Sequence, residues 1–149
     1  MIYNQFWILP IKGDYVMKTI SLNGIWSLKG RDQTGVCKDE ISITAEVPGC
    51  VQLDLSRHGY LPQDLYMGDN IRQTEKYEGY EWWYERHFDC PRDTHNVYLV
   101  FEGVDCLAEY YLNGKKIGIS ENMFIPMSSE WTIIFVTERI LLPFILSLP

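Results

Sequence analysis

The sequence predicts an all-β fold, a sandwich of short antiparallel strands. Three observations predict it. Residues 97–118, VYLVFEGVDCLAEYYLNGKKIG, alternate apolar and polar side chains, turn at Asn113-Gly114 and alternate again. That is the pattern of a hairpin closed by a type I′ turn, whose two central residues need positive φ. Val97–Phe101 is an almost unbroken apolar run, as in a strand covered on both faces. Ile41, Ile43, Ala45 and Val47 alternate with polar neighbours, as in a strand with one face in a core. The spacing of strands and turns fits a sandwich.

The elements follow in order. ISLNGIWSLKG (20–30) carries a Gly-containing turn, then Ile25, Trp26 and Leu28; it reads as the first strand, with Trp26 in the core. DEISITAEVPG (39–49) is a half-buried strand ended by Pro48-Gly49. CVQLDLSRHG (50–59) reads as a short helix stopped by Gly59. Residues 60–80 have no clean period and are punctuated by Pro, Gly, Asp and Asn. A loop of this length in a compact domain is functional or wraps the body of the fold. EWWYERHFDC (81–90) is a strand with Trp82, Tyr84, Phe88 and Cys90 on one face and Trp83, Glu85 and His87 on the other. The segment 128–149, SSEWTIIFVTERILLPFILSLP, is rich in Ile, Leu and Phe with little alternation. Pro143 breaks it, and it is too short and broken for a membrane span. Within it WTIIFV (131–136) has the β character to pair as a surrogate strand.

Composition narrows the function. The 149 residues are enough for one domain with a proper core, and 46% hydrophobic with 14% aromatic residues means the chain folds. Its many Trp and Tyr residues suit either core packing or sugar stacking, with core packing first. A net charge of −7 argues against nucleic acid and against an anionic membrane surface, both of which attract Lys and Arg. Cys37, Cys50, Cys90 and Cys106 form no CxxC pair and no zinc spacing with His58, His87 or His95, so they read as reduced thiols. MIYNQFWILPIKGDYVMK lacks the basic start and cleavage site of a signal peptide, which implies a cytoplasmic chain.

No constellation reads as catalytic and none as a metal site. Glu102 and Asp105 invite an acid–base reading, but a strand-end bend with Asp105 accepting backbone N–H bonds accounts for them better. Glu81 and Glu85 share a strand face and read as solvated. His87 and His95 have no nucleophile at a suggestive spacing, and no Gly-rich phosphate loop occurs.

Five segments, in this order, resemble the N-terminal domain of family 2 glycoside hydrolases, most closely the β-mannosidase branch: LNGIWSL (22–28), VPGCVQLDLSRHGYLPQDLYMGDN (47–70), EWWYERHF (81–88), residues 97–118 and ENMFIP (121–126). The resemblance implies a jelly-roll, galactose-binding-domain-like sandwich. In the family it precedes an immunoglobulin-like domain and a TIM barrel, whose two Glu residues perform retaining hydrolysis. It implies a β-mannoside or related oligosaccharide as the partner of the full enzyme, with no cofactor. It also places the YMGDN loop toward the barrel, with Asp69 and Asn70 as sugar-pocket rim; Trp82 matches a family tryptophan and is either rim or core, with core preferred. An Asx turn is the plainer role for Asp69 and Asn70.

After about Met127 the family pattern is lost, as a truncation or frameshift would produce. The expected organisation is therefore an N-terminal extension at 1–17, a jelly-roll domain at 18–127, incomplete at its C-terminus, and an aberrant apolar tail at 128–149. The expected function is the non-catalytic domain of a β-mannosidase-like hydrolase, lacking the catalytic barrel. The alternatives are a stand-alone carbohydrate-binding module and a non-functional gene fragment.

Overall fold

The computed structural model describes residues 3–9, 18–35, 40–88, 96–104, 107–131, 140–141 and 144–147. Strands β1 (Tyr3–Leu9), β2 (Lys18–Ser21), β7 (Asn96–Gly103) and β10 (Met127–Trp131) form a four-stranded sheet in the order β10-β7-β1-β2. Strands β3 (Gly24–Asp32), β4 (Ile41–Val47), β5 (Tyr80–Glu85), β8 (Leu107–Leu112), β9 (Lys115–Ser120) and β12 (Phe144–Ser147) form a six-stranded sheet in the order β4-β3-β5-β12-β8-β9. The short strands β6 (His87–Phe88) and β11 (Ile140–Leu141) pair separately. Among the described residues every pairing is antiparallel. The all-β sandwich expected from the sequence is the architecture found.

Alternation builds the core. Along β3, Trp26, Leu28 and Gly30 point inward, while Ile25, Ser27 and Lys29 point out. Ile41, Ala45 and Val47 of β4 and Trp82 and Tyr84 of β5 join them. Leu99 and Phe101 close the core from β7, with Val100 half-buried between them. The Phe101 ring meets Tyr110 of β8 at 4.5 Å between centroids, an aromatic contact from one sheet to the other. Asn113 (φ 50°) and Gly114 (φ 77°) close the β8–β9 hairpin as the Asn-Gly pair predicts.

Helix α1 (Val51–Arg57) occupies the expected position, and Gly59 follows it at φ 78°, in the left-handed region. Asp54 latches the helix to the edge of the sheet. Its Oδ1 accepts from the Glu46 N–H and from Arg57 Nη1, both at 3.1 Å. His58 Nδ1 donates to the Asp54 carbonyl at 2.8 Å, which leaves Nε2 to pair with Thr44 Oγ1 at 3.1 Å. Burial raises the Asp54 carboxyl above its ordinary pKa, against the lowering pull of the Glu46 N–H and of Arg57.

The ends of the described chain differ from expectation. Tyr3–Leu9, inside the stretch expected as an extension, pairs with β7 on one side and β2 on the other. Its sequence YNQFWIL is rich in residues that favour a pleated, half-buried surface. In the stretch expected as a tail, β12 lies between β5 and β8, in register with four residues of each. The surrogate strand is therefore Phe144–Ser147; of the expected WTIIFV, Trp131 closes β10 and the remainder lies outside the described residues.

Among the described residues three buried side-chain polar atoms lack hydrogen-bond partners: Asp54 Oδ2, Trp82 Nε1 and the Tyr84 hydroxyl. Burial pushes the Tyr84 hydroxyl pKa far above its usual value, so it stays neutral at any working pH. Tyr84→Phe removes an unpaired buried polar group and leaves the ring. It will keep the urea midpoint or raise it, by up to about 1 kcal/mol. Tyr110→Phe, which forfeits a 2.8 Å bond to Ser120 Oγ, will lower it.

Candidate functional site

Residues 60–79 do not wander. Leu61, Leu65 and Tyr77 are buried and anchor the segment to the sandwich. Ser56 Oγ donates to the Pro62 carbonyl at 2.8 Å, and the Tyr77 hydroxyl and Lys76 Nζ both donate to the Tyr60 carbonyl, at 3.2 and 3.1 Å. Asn70–Tyr77 winds into a 3-10 helix, where no element was expected. Its sequence is polar apart from Ile71 and Tyr77, too few apolar residues to mark an element. Tyr77 holds it, with its ring edge-on to Tyr80 at 5.3 Å and 6.2 Å from Trp82.

Between these anchors the tip stands out. Tyr66 is 93% exposed and Met67 67%, Gly68 turns the chain at φ 57°, and Asp69 and Asn70 follow. The Asn70 side-chain amide donates to the Asp64 carbonyl at 2.8 Å, which closes the tip across its base. The Asx turn sits at Asp64, whose Oδ1 accepts from the Tyr66 N–H at 3.1 Å. Asp69 is exposed and its side chain does not cap the 3-10 helix, so its carboxylate faces solvent. The tip thus offers one carboxylate, one amide oxygen and two exposed apolar side chains on a pinned base. Short polar side chains of this kind bind hydroxyl groups, and the apolar pair suits a packed surface.

Trp82 lies elsewhere. It has 0% exposure and stacks on Tyr80 at 5.4 Å and 21°. With no ring face open to solvent, its position is in the core and not on a rim. The remaining sequence candidates also separate. Glu81 Oε2 accepts from Gln33 Nε2 at 2.7 Å, and Glu85 Oε2 pairs with Lys29 Nζ at 2.8 Å. Four residues along a strand place these carboxylates about 13 Å apart, beyond the reach of a glycosidase pair. Glu102 is exposed, and Asp105, His95, Cys37, Cys90 and Cys106 lie outside the described residues. Cys50 is a free thiol. Among the described residues no cluster could hold a metal ion, and no helix is long and apolar enough to cross a membrane.

Sequence reasoning singled out the YMGDN loop and gave roles to Asp69 and Asn70, but none to Tyr66 and Met67. Their signal was available: two large apolar residues directly before Gly68-Asp69 in a loop have no element to bury them.

Comparison with known proteins gives this geometry a setting. The family model described as glycosyl hydrolase 2 galactose-binding domain-like matches residues 26–139, and so runs past Met127. The β-mannosidase of Rattus norvegicus is 32% identical over 110 residues, covering 72% of this chain and 12% of the rat protein. The crystal structure of the β-D-mannosidase from Dictyoglomus thermophilum superposes with a TM-score of 0.74 at 34% identity, over 87% of this chain and 16% of that one. A β-galacturonidase from Eisenbergiella tayi superposes with a TM-score of 0.59 at 22% identity, over 93% of this chain and 20% of that one, a likeness of fold alone. The chain therefore spans about an eighth of the length of the curated relative it matches. Match length, order of motifs and sandwich architecture agree: this chain belongs to the galactose-binding-domain-like family of glycosyl hydrolase family 2.

Proposed function

We propose that the chain serves as the non-catalytic N-terminal domain of a β-mannosidase-like glycoside hydrolase, and that the tip of the 60–79 loop helps rim the sugar pocket of the whole enzyme. The observation that carries this reading is the tip itself, a rigidly based projection whose Asp69 carboxylate is open to solvent beside the exposed Tyr66 and Met67. In the whole enzyme Asp69 accepts from a sugar hydroxyl, Asn70 supplies a second polar contact, and Tyr66 and Met67 pack on the neighbouring domain. Hydrolysis of a β-mannoside or related oligosaccharide belongs to the catalytic barrel, outside this chain. The free thiol of Cys50 suits the reducing, cytoplasmic compartment.

The purified chain will show no turnover of 4-nitrophenyl β-D-mannoside above blank. Turnover abolished by Glu81→Gln or Glu85→Gln would overturn the non-catalytic reading. The rim role is read in a chimera with residues 18–127 in place of the matching domain of the Dictyoglomus thermophilum enzyme. There Asp69→Ala will raise KM for the mannoside about tenfold with kcat little changed, the signature of a lost charged hydrogen bond made equally in ground and transition states. An unchanged KM removes the role.

A further inference from the structure

A groove of about 390 Å³ runs over the outer face of the six-stranded sheet, between β4, β3 and β5, and no residue of the loop tip lines it. Its wall on β5 is the alternating series Glu81, Trp83 and Glu85, all on the face opposite to the buried Trp82 and Tyr84. Register brings Arg31 of β3 opposite Glu81 and Lys29 opposite Trp83. Ser42 of β4 lies across the groove, level with Lys29. The Trp83 indole is half-buried, and Tyr111 of β8 flanks it at 6.1 Å and 32°, which fixes its position on the sheet.

The charges in the groove are arranged against one another. Lys29 Nζ donates to Glu85 Oε2 at 2.8 Å, and Arg31 Nε and Nη2 donate to Glu40 Oε1 at 3.1 and 2.7 Å. Gln33 Nε2 donates to Glu81 Oε2 at 2.7 Å. Each bond occupies one oxygen of its carboxylate, and the other oxygen is an acceptor with no donor among the described residues. Lys29 and Glu85 keep their remaining hydrogen-bonding capacity beside the indole. An aromatic surface flanked by paired donors and acceptors is complementary to a pyranose ring, whose C–H face is apolar and whose rim is hydroxyls. The carboxylates of Glu40, Glu81 and Glu85 outnumber the cations of Lys29 and Arg31, so the groove disfavours phosphate and uronate.

We propose that this groove is a second carbohydrate-binding site, in which a neutral oligosaccharide lies against Trp83 with its hydroxyls bonded by Glu81, Glu85 and Lys29. The site does not depend on the loop tip or on the reading of the chain as an enzyme domain. A solvated ladder of ion pairs would need no indole between its carboxylates; the half-buried Trp83 braced by Tyr111 is what the ladder alone leaves unexplained.

The test is calorimetric titration of the 149-residue chain with β-1,4-mannotriose, cellotriose and, as the anionic control, galacturonic acid. At least one neutral trisaccharide will bind saturably, and galacturonic acid will not. Trp83→Ala will weaken binding about tenfold or more, as loss of an aromatic stacking platform does, and Trp83→Phe will retain most of it. Ser42→Phe fills the groove from an exposed strand position, leaves the core untouched and will abolish binding, so the proposal is tested even if Trp83→Ala does not fold. Glu102→Gln, at an exposed strand position outside the groove lining, will leave binding unchanged. No saturable heat with either trisaccharide, or binding that survives both Ser42→Phe and a folded Trp83→Ala, overturns the proposal.

Discussion

A chain ending at residue 139 will lose cooperative folding. Strand β12 fills the space between β5 and β8 and pairs with both along Phe144–Ser147. Its removal strips ladder partners from Glu81–Tyr84 and from Leu107–Tyr110 at once. Those two stretches carry Trp82, Tyr84, Ala108 and Tyr110, all of them buried. A buried backbone group left without a partner costs about 1–3 kcal/mol, and several such groups together match the whole stability of an ordinary domain, about 5–15 kcal/mol. Urea titration followed by near-ultraviolet circular dichroism checks this. The full chain will give a sigmoidal transition and the shortened one a shallow, featureless slope. A synthetic peptide of residues 140–149 added in trans will restore part of the near-ultraviolet signal, as an inserted strand does elsewhere. A shortened chain with an unaltered midpoint and slope would mean that β12 is a passenger on a sheet complete without it.

The same strand marks the limit of what could be read in the sequence. Period-two alternation exposes a strand that has water on one face, and β3, β4 and β5 were legible for that reason. Phe144-Ile145-Leu146 is a run of three apolar residues without alternation, too short to separate from a stretch of lost reading frame. The Asn113-Gly114 hairpin and the stop at Gly59 were legible because their chemistry is local: only particular residues tolerate those φ angles. Tyr3–Leu9 was missed for the opposite reason, since a strand's place in a sheet depends on partners 90 residues away.

The functional features divide in the same way. Asp69 and Asn70 stood out because small polar residues around a glycine in a long loop are a local signal. That the tip would be pinned by Asp64, Tyr60 and the buried Tyr77 was not, because those contacts form across the loop. Strand parity placed Trp82 and Trp83 on opposite faces. What the sequence alone did not contain is the register that sets Lys29 against Trp83 and Arg31 against Glu81, and it is this register that turns scattered charges into a lined groove. Charge count pointed away from nucleic acid; charge placement points toward a neutral ligand.

Gly30→Ala will be among the most damaging single substitutions in the chain. Gly30 pairs in register with Trp82, and the indole lies flat over its backbone. A Cβ built on Gly30 would come 2.3 Å from Trp82 Cζ3 and 2.8 Å from Cε3 and Cη2. The ring cannot swing clear: it is wholly buried, stacked on Tyr80 and braced by Tyr77. Either β3 and β5 separate or the aromatic cluster rearranges, and overpacking of this severity costs about 3 kcal/mol or more. The backbone conformation is not at issue, since Gly30 lies in an ordinary extended strand; the absent side chain is the requirement. Trp82→Phe should therefore rescue it. Phenylalanine gives back room over residue 30 and removes the unpaired Nε1, so alone it will cost less than the 3–5 kcal/mol expected for truncating Trp82 to Ala. In the Trp82→Phe background, Gly30→Ala will cost less than half of what it costs in the native chain, a coupling above the 0.5 kcal/mol that marks residues in contact. Urea midpoints of the four chains give the cycle directly. Additive losses would show that the close approach of the indole to Gly30 does not set the spacing of these strands.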